Sequence, residues 1–158
     1  AAWMKKSLPT DNQPVNPEPS NYIIRVDNRR LASKFTTRLA SINPNQIIID
    51  ARPPAAYQGK TSSAKRAGHI PSAINIDFHN NLQAIDDDNA MLAPTENLQA
   101  LYAGIPKNQK VIIYCEAGQS SSATYLSLRE LGYDVANYDA SWREWGNDMT
   151  LPIAKPED

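Results

Sequence analysis

The sequence predicts an α/β domain of three layers, with a mainly parallel sheet of four or five strands covered by helices on both faces. Three observations carry that prediction. The runs Ile47-Ile48-Ile49 and Val111–Tyr114 are apolar at every position, so each reads as a strand buried on both faces. Segments with helical spacing alternate with such runs along the chain. Parallel strands need crossovers, and the crossovers lay helices over the sheet. In sheets of this kind, ligands bind beyond the carboxyl ends of the strands.

The elements follow in order. Residues 1–20 hold Pro9, Pro14, Pro17 and Pro19 among Asn, Asp, Ser and Glu, the composition of an extended, solvated linker. Trp3 precedes Leu8-Pro9 much as Trp145 precedes Leu151-Pro152. This echo is what a truncated tandem repeat leaves behind. Residues 1–20 are therefore expected to be the tail of a preceding, similar domain plus a linker, and residues 21–158 the domain itself. Tyr22–Val26 reads as a short strand, with Asp27 able to cap a following helix. Leu31, Phe35 and Leu39 share one face of that helix. Ile47–Ile49 is a buried strand ending at Asp50, and Ala73–Ile76 is a further candidate strand. Pro94 opens a helix in which Leu98, Leu101, Tyr102 and Ile105 follow i, i+3, i+4, i+7. Val111–Tyr114 is another strand, residues 120–131 are helical and Gly132 stops that helix. Val135–Tyr138 is the last strand, followed by a short helix containing Trp142 and Trp145.

The 158 residues, 41% of them hydrophobic, suit one domain with one core. A net charge of −1 with no basic stripe gives no reason to expect nucleic acid as a partner. The apolar runs are too short to span a bilayer, and no apolar segment follows Lys5-Lys6, so neither a membrane span nor a signal peptide is expected in the sequence as given. A cytoplasmic location is expected, or a periplasmic one if a signal belonged to a preceding part. The single cysteine, Cys115, allows no internal disulfide and no cysteine-based zinc site. His69 reads as a hydrogen-bonded structural residue, His79 adds little, and Asp86-Asp87-Asp88 reads as a solvated turn. No metal and no cofactor are expected.

A lone cysteine is often only a small buried hydrophobe. Cys115 has a different context. It follows a buried strand directly, precedes a helix, and opens the loop Cys115-Glu116-Ala117-Gly118-Gln119-Ser120. Backbone N–H groups of such a turn, with a helix N-terminus behind them, form a cradle for negative charge and stabilise a thiolate. Gly118 lets the loop curl, and Ser120, Ser121 and Ser122 can cap the helix. Three chemistries compete for that thiolate. A cysteine phosphatase needs an arginine six residues on, where this chain has Ser121. A cysteine hydrolase needs a histidine base, and nothing in the spacing of His69 or His79 points to one. Sulfur transfer needs only a thiolate that holds a sulfane sulfur as a persulfide, with N–H donors around the terminal sulfur, and it fits best.

The chain from about Tyr22 resembles the rhodanese-like sulfurtransferases, in particular the second, catalytic domain of the tandem-domain thiosulfate and mercaptopyruvate enzymes. The resemblance rests on Asp50-Ala51-Arg52, Gly68-His69-Ile70-Pro71-Ser72-Ala73-Ile74-Asn75, Tyr114-Cys115-x-x-Gly118, Leu131-Gly132-Tyr133 and Asn137–Gly146. It implies transfer of a sulfane sulfur from thiosulfate, mercaptopyruvate or a persulfide to a thiol or cyanide through a Cys115 persulfide. The alternative is a persulfide carrier or binding module with little thiosulfate turnover. The expected substrate-binding residues are Glu116, Ala117, Gly118, Gln119, Ser120 and Ser121. The chain departs from the family's pattern in its cations. Ala56 stands where an arginine usually precedes the aromatic matched by Tyr57, and Glu116, Ala117 and Gln119 occupy loop positions that often carry one. An acid beside the thiolate opposes its stabilisation. Lys60, Lys65 or Arg66 is expected to supply the missing cation, with Arg66 the choice.

Overall fold

The computed structural model describes residues 2–25, 27–86 and 89–155. The elements are α1 (Ala2–Lys5), α2 (Lys34–Ala40), β1 (Gln46–Asp50), α3 (Pro54–Tyr57), β2 (Ile74–Asn75), a 3-10 turn (Phe78–Asn81), β3 (Leu82–Asp86), β4 (Asn89–Leu92), α4 (Thr95–Leu101), β5 (Lys110–Tyr114), α5 (Ser121–Glu130), β6 (Val135–Asn137) and α6 (Ser141–Trp145). Four strands form one sheet in the order β2-β1-β5-β6, and every pairing in it is parallel. The predicted three-layer α/β architecture is the one observed.

The two all-apolar strands divide their side chains between two cores. Ile49, Val111 and Ile113 face Leu98, Tyr102 and Ile105 at the α4 end and Leu128 of α5. Ile48, Ile112 and Tyr114 face Ala40 of α2 and Trp142 and Trp145 of α6. Alternation along a strand sends neighbours to opposite faces, so a run apolar throughout needs helices on both. Gly132, at φ 82°, ends α5; the Tyr133 N–H reaches back to the Leu128 carbonyl at 2.9 Å and closes the helix end.

Three expectations are corrected. Residues 22–25 form no strand, Val26 lies outside the described residues, and Tyr22, Ile23 and Ile24 are exposed. The sheet edge beside β6 is instead met by residues 30–32, through Ala32 N–H to Asn137 O and Asn137 N–H to Arg30 O, each 2.9 Å. Asp27 does not cap α2. It pairs with Arg29 and Arg30, while Ser33 caps the helix in a reciprocal box with Thr36. Leu31 precedes α2, and Phe35 and Leu39 are exposed; the inner face of α2 is Thr37 and Ala40, small enough to let the helix lie close to β1. The antiparallel pair β3–β4 was not expected; Asp86 ends β3, and Asp87 and Asp88 lie outside the described residues. No helix among the described residues is long and apolar enough to cross a membrane.

Candidate active site

Register brings the site together. β1 and β5 pair so that Asp50 lies beside Tyr114, and the chain then continues to Arg52 and to Cys115 at the same carboxyl edge. The buried Asp50 carboxylate accepts from the Arg52 backbone N–H (2.9 Å), Arg52 Nε (3.0 Å), Arg52 Nη2 (2.6 Å) and the Tyr114 hydroxyl (2.5 Å). Arg52 Nη2 also donates to the Gly68 carbonyl at 2.7 Å. The guanidinium lies 4.4 Å from the Trp142 ring centre and 5.6 Å from that of Tyr114. Burial works against the charge on Arg52, but the Asp50 hydrogen bonds and charge outweigh it and hold the guanidinium protonated. Burial, reinforced by the Asp50 charge, pushes the Tyr114 hydroxyl well above the usual phenol range, so it stays a donor to the carboxylate.

Cys115 is 2% exposed, and its backbone is held by the start of α6. Its N–H donates to Ser141 Oγ at 3.2 Å, and that hydroxyl donates to the Tyr138 carbonyl at 2.8 Å. The Trp142 N–H returns a bond to the Cys115 carbonyl at 3.1 Å, and the Arg143 N–H donates to the Glu116 carbonyl at 2.9 Å. Gly118 has φ 80°, and a Cβ placed there would collide with Asp139 Oδ1 and stand 2.5 Å from the Asp139 carbonyl oxygen. Only glycine meets both demands. Ser121 Oγ lies 2.9 Å from the Gly118 carbonyl and 2.8 Å from Asn137 Oδ1, tying the loop to α5 and β6. Among the described residues, the backbone N–H groups of residues 116–121 donate to no protein acceptor. A run of free donors at a helix N-terminus, next to a thiol, is suited to holding a negatively charged group on that thiol.

Cys115 opens into a pocket of about 270 Å³ lined by Arg52, Pro53, Ala56, Thr61, Phe78, Glu116 and Ser120. The Glu116 carboxylate takes a hydrogen bond from Ser63 Oγ and lies 3.7 Å from Arg52 Nη1.

The family described as rhodanese-like domain matches residues 32–148. The chain belongs to that family. Among curated proteins, the putative thiosulfate sulfurtransferase SseA of Mycobacterium bovis is 35% identical over 134 residues, covering 78% of this chain and 44% of that protein. The sulfur carrier protein TtuD of Thermus thermophilus is 39% identical over 123 residues, covering 70% and 42%. This rhodanese-like chain thus spans less than half the length of these two relatives. Among solved structures, the 3-mercaptopyruvate sulfotransferase SseA from Escherichia coli has a TM-score of 0.71 at 24% identity, over 89% of this chain and 52% of that one. EanB bound to ergothioneine has a TM-score of 0.85 at 19% identity, over 99% and 40%. Both show a shared fold.

Within the rhodanese-like domain, the expected site residues divide. Cys115, Glu116 and Ser120 line the pocket, whereas Ala117 and Gln119 are exposed and do not. Gly118 and Ser121 are buried and shape the loop. Arg66 is not brought to Cys115. Its guanidinium donates to the carbonyls of Trp145, Gly146, Asp148 and Leu151, clamping the segment after α6. Lys60 and Lys65 are exposed and also lie outside the pocket lining. The cation that does line the pocket is Arg52. It was visible in the sequence as part of Asp50-Ala51-Arg52, but its reach past Asp50 to the pocket depends on the strand register. Ser63 and Ser141 carried no sequence signal of their own. Neither histidine is placed as a base toward Cys115. His69 Nδ1 lies 2.8 Å from the Tyr57 carbonyl with its ring stacked on Tyr57, and His79 is paired with Asp77.

Proposed function

We propose that Cys115 is a sulfur-carrying nucleophile and that the domain acts as a sulfurtransferase. In the first half-reaction the Cys115 thiolate attacks the outer sulfur of thiosulfate or a related donor. A bond forms between Cys115 Sγ and that sulfur, the donor's S–S bond breaks, and its electron pair leaves with sulfite. The persulfide keeps one negative charge on its terminal sulfur. In the second half-reaction a thiol or cyanide attacks the terminal sulfur, the bond to Cys115 breaks, and the thiolate is restored.

The observation that carries this reading is that Cys115, which lines the pocket with Glu116 and Ser120, opens a loop whose backbone N–H groups at residues 116–121 donate to no protein acceptor among the described residues. Those donors suit a charge that persists through the cycle, and the chemistry needs no histidine base. The sulfurtransferase and sulfur-carrier names of the curated relatives support it. Thiosulfate and cyanide supplied together are expected to give steady release of thiocyanate that is abolished in Cys115→Ser. A folded chain that releases none from thiosulfate or mercaptopyruvate contradicts the enzymatic reading.

A second reading, a carrier that receives sulfur from a persulfide, draws on the charge of the pocket. Arg52 is the one cation that lines it among the described residues, and Asp50 already pairs with it. Residues 1–20 are read as the tail of a preceding similar domain plus linker. Trp3 Nε1 donates to the Pro9 carbonyl at 2.9 Å and Trp145 Nε1 to the Pro152 carbonyl at 2.7 Å, so the echo in sequence is repeated in hydrogen bonding. The full gene sequence tests this reading, which expects a second rhodanese-like segment upstream.

A further inference from the structure

The pocket beside Cys115 contains an anion of its own. Arg52 Nη1 is buried and has no hydrogen-bond partner among the described residues, although the other guanidinium nitrogens are bonded to Asp50 and Gly68. The group that approaches Nη1 is the Glu116 carboxylate, with Oε2 at 3.7 Å. Its other oxygen, Oε1, is held by the Ser63 hydroxyl. The Glu116 backbone is fixed as well, by the Arg143 N–H at its carbonyl. The carboxylate therefore occupies the position over Arg52 that an anionic substrate group would otherwise take. The charges sum against anions: Arg52 contributes one positive charge, and Asp50 and Glu116 contribute two negative ones. The remaining lining is apolar or hydroxyl, from Pro53, Ala56, Thr61, Phe78 and Ser120.

We propose that Glu116, strapped between Ser63 and Arg52, is a specificity-determining residue that disfavours small anionic sulfur donors and favours persulfides carrying an ammonium group. This rests on the reading of Cys115 as a sulfur-carrying thiol and names the substrate class for that site. With 2-aminoethyl persulfide as donor, the Cys115 thiolate attacks the outer sulfur, the donor's S–S bond breaks, and 2-aminoethanethiol leaves with the electron pair and the donor's S–H proton. The ammonium lies two carbons from the leaving sulfur, in a pocket that Cys115 and Glu116 line together. Thiosulfate brings two negative charges to the same place. Unit charges several ångströms apart in a partly desolvated site interact strongly enough to change a rate by roughly tenfold or more.

The test is the second-order rate of sulfur loading on Cys115, followed by intact mass, with thiosulfate and with 2-aminoethyl persulfide as separate donors. Wild type, Glu116→Gln and Glu116→Ala are compared, with circular dichroism reporting the fold. Both variants are expected to load faster from thiosulfate and slower from 2-aminoethyl persulfide, moving the ratio of the two rates about tenfold or more toward thiosulfate. Glu116→Gln keeps the side chain's size, so the shift must follow charge. A ratio within twofold of wild type in Glu116→Gln, with loading still occurring, overturns the role of Glu116 and leaves the sulfur-carrying reading standing. A shift seen only in Glu116→Ala assigns the effect to packing and also overturns it. Absence of loading from either donor in all three folded proteins overturns the sulfur-carrying reading, and this inference with it.

Discussion

Asp50 has no access to solvent, and its carboxylate is matched by the Arg52 guanidinium and the Tyr114 hydroxyl. Removing one charge from such a pair strands the other in a dry environment. Asp50→Asn is expected to destabilise the domain by about 3–5 kcal/mol, read by denaturant unfolding. A loss under about 1 kcal/mol would place Arg52 in contact with water. Gly118 makes a separate demand, with a φ of 80° and no room for a Cβ against Asp139. Gly118→Ala is expected to reduce sulfur loading more than tenfold at a stability loss of about 1–3 kcal/mol, because the loop that presents the N–H groups must move. At Gly104 an added methyl group would meet nothing within 4 Å, and Gly104→Ala in the same assays is expected to change neither quantity appreciably. Equal behaviour of the two glycine variants would separate the loop conformation from sulfur handling.

At the scale of elements, strands β1 and β5 and helices α4 and α5 were readable because each makes its own contacts obvious. Ile47–Ile49 and Val111–Tyr114 have no polar face, and Leu98, Tyr102 and Ile105 keep helical spacing into the core. The inner face of α5 is harder to read, since Ser121, Thr124 and Ser127 are buried there with Leu128. Those hydroxyls have partners: Thr124 Oγ1 accepts from Asn81 Nδ2 at 3.3 Å, and Asn81 Oδ1 accepts from the Tyr102 hydroxyl at 2.5 Å. Burial raises the Tyr102 hydroxyl to about 12, from the usual value near 10. A group raised on folding stabilises fully below its unfolded value and loses that contribution as pH rises toward the folded one. Stability is therefore expected to fall between pH 10 and about 12, with a shallower fall in Tyr102→Phe, measured by denaturant midpoints across that range. An unchanged slope in the variant would mean that Tyr102 is not part of the titration. The missed elements have local causes. In β3 and β4, Gln83, Ala84, Ile85, Ala90 and Met91 are exposed or only partly covered, so pairing there leaves little apolar pattern in the sequence. Residues 22–25 have strand-like composition but are exposed, and the sheet edge beside β6 is met by residues 30–32.

For the whole molecule, the parallel order β2-β1-β5-β6 gathers the carboxyl ends of β1 and β5 at one edge, and the site follows from that gathering. The thiol and its loop were legible because they are contiguous in sequence. The pocket's cation was not, because Arg52 and Cys115 come to line one pocket only through strand pairing, and Arg66 is drawn away to the carbonyls after α6. Sulfur carriage on Cys115 is measured most directly by the intact mass of the purified chain after exposure to a sulfane donor, taken before and after reduction by a thiol. A gain of one sulfur atom is expected, reversed by the thiol and absent in Cys115→Ser. A folded wild-type chain that gains no sulfur from thiosulfate, mercaptopyruvate or a persulfide, or a Cys115→Ser variant that gains it equally, would contradict a sulfur-carrying role for Cys115.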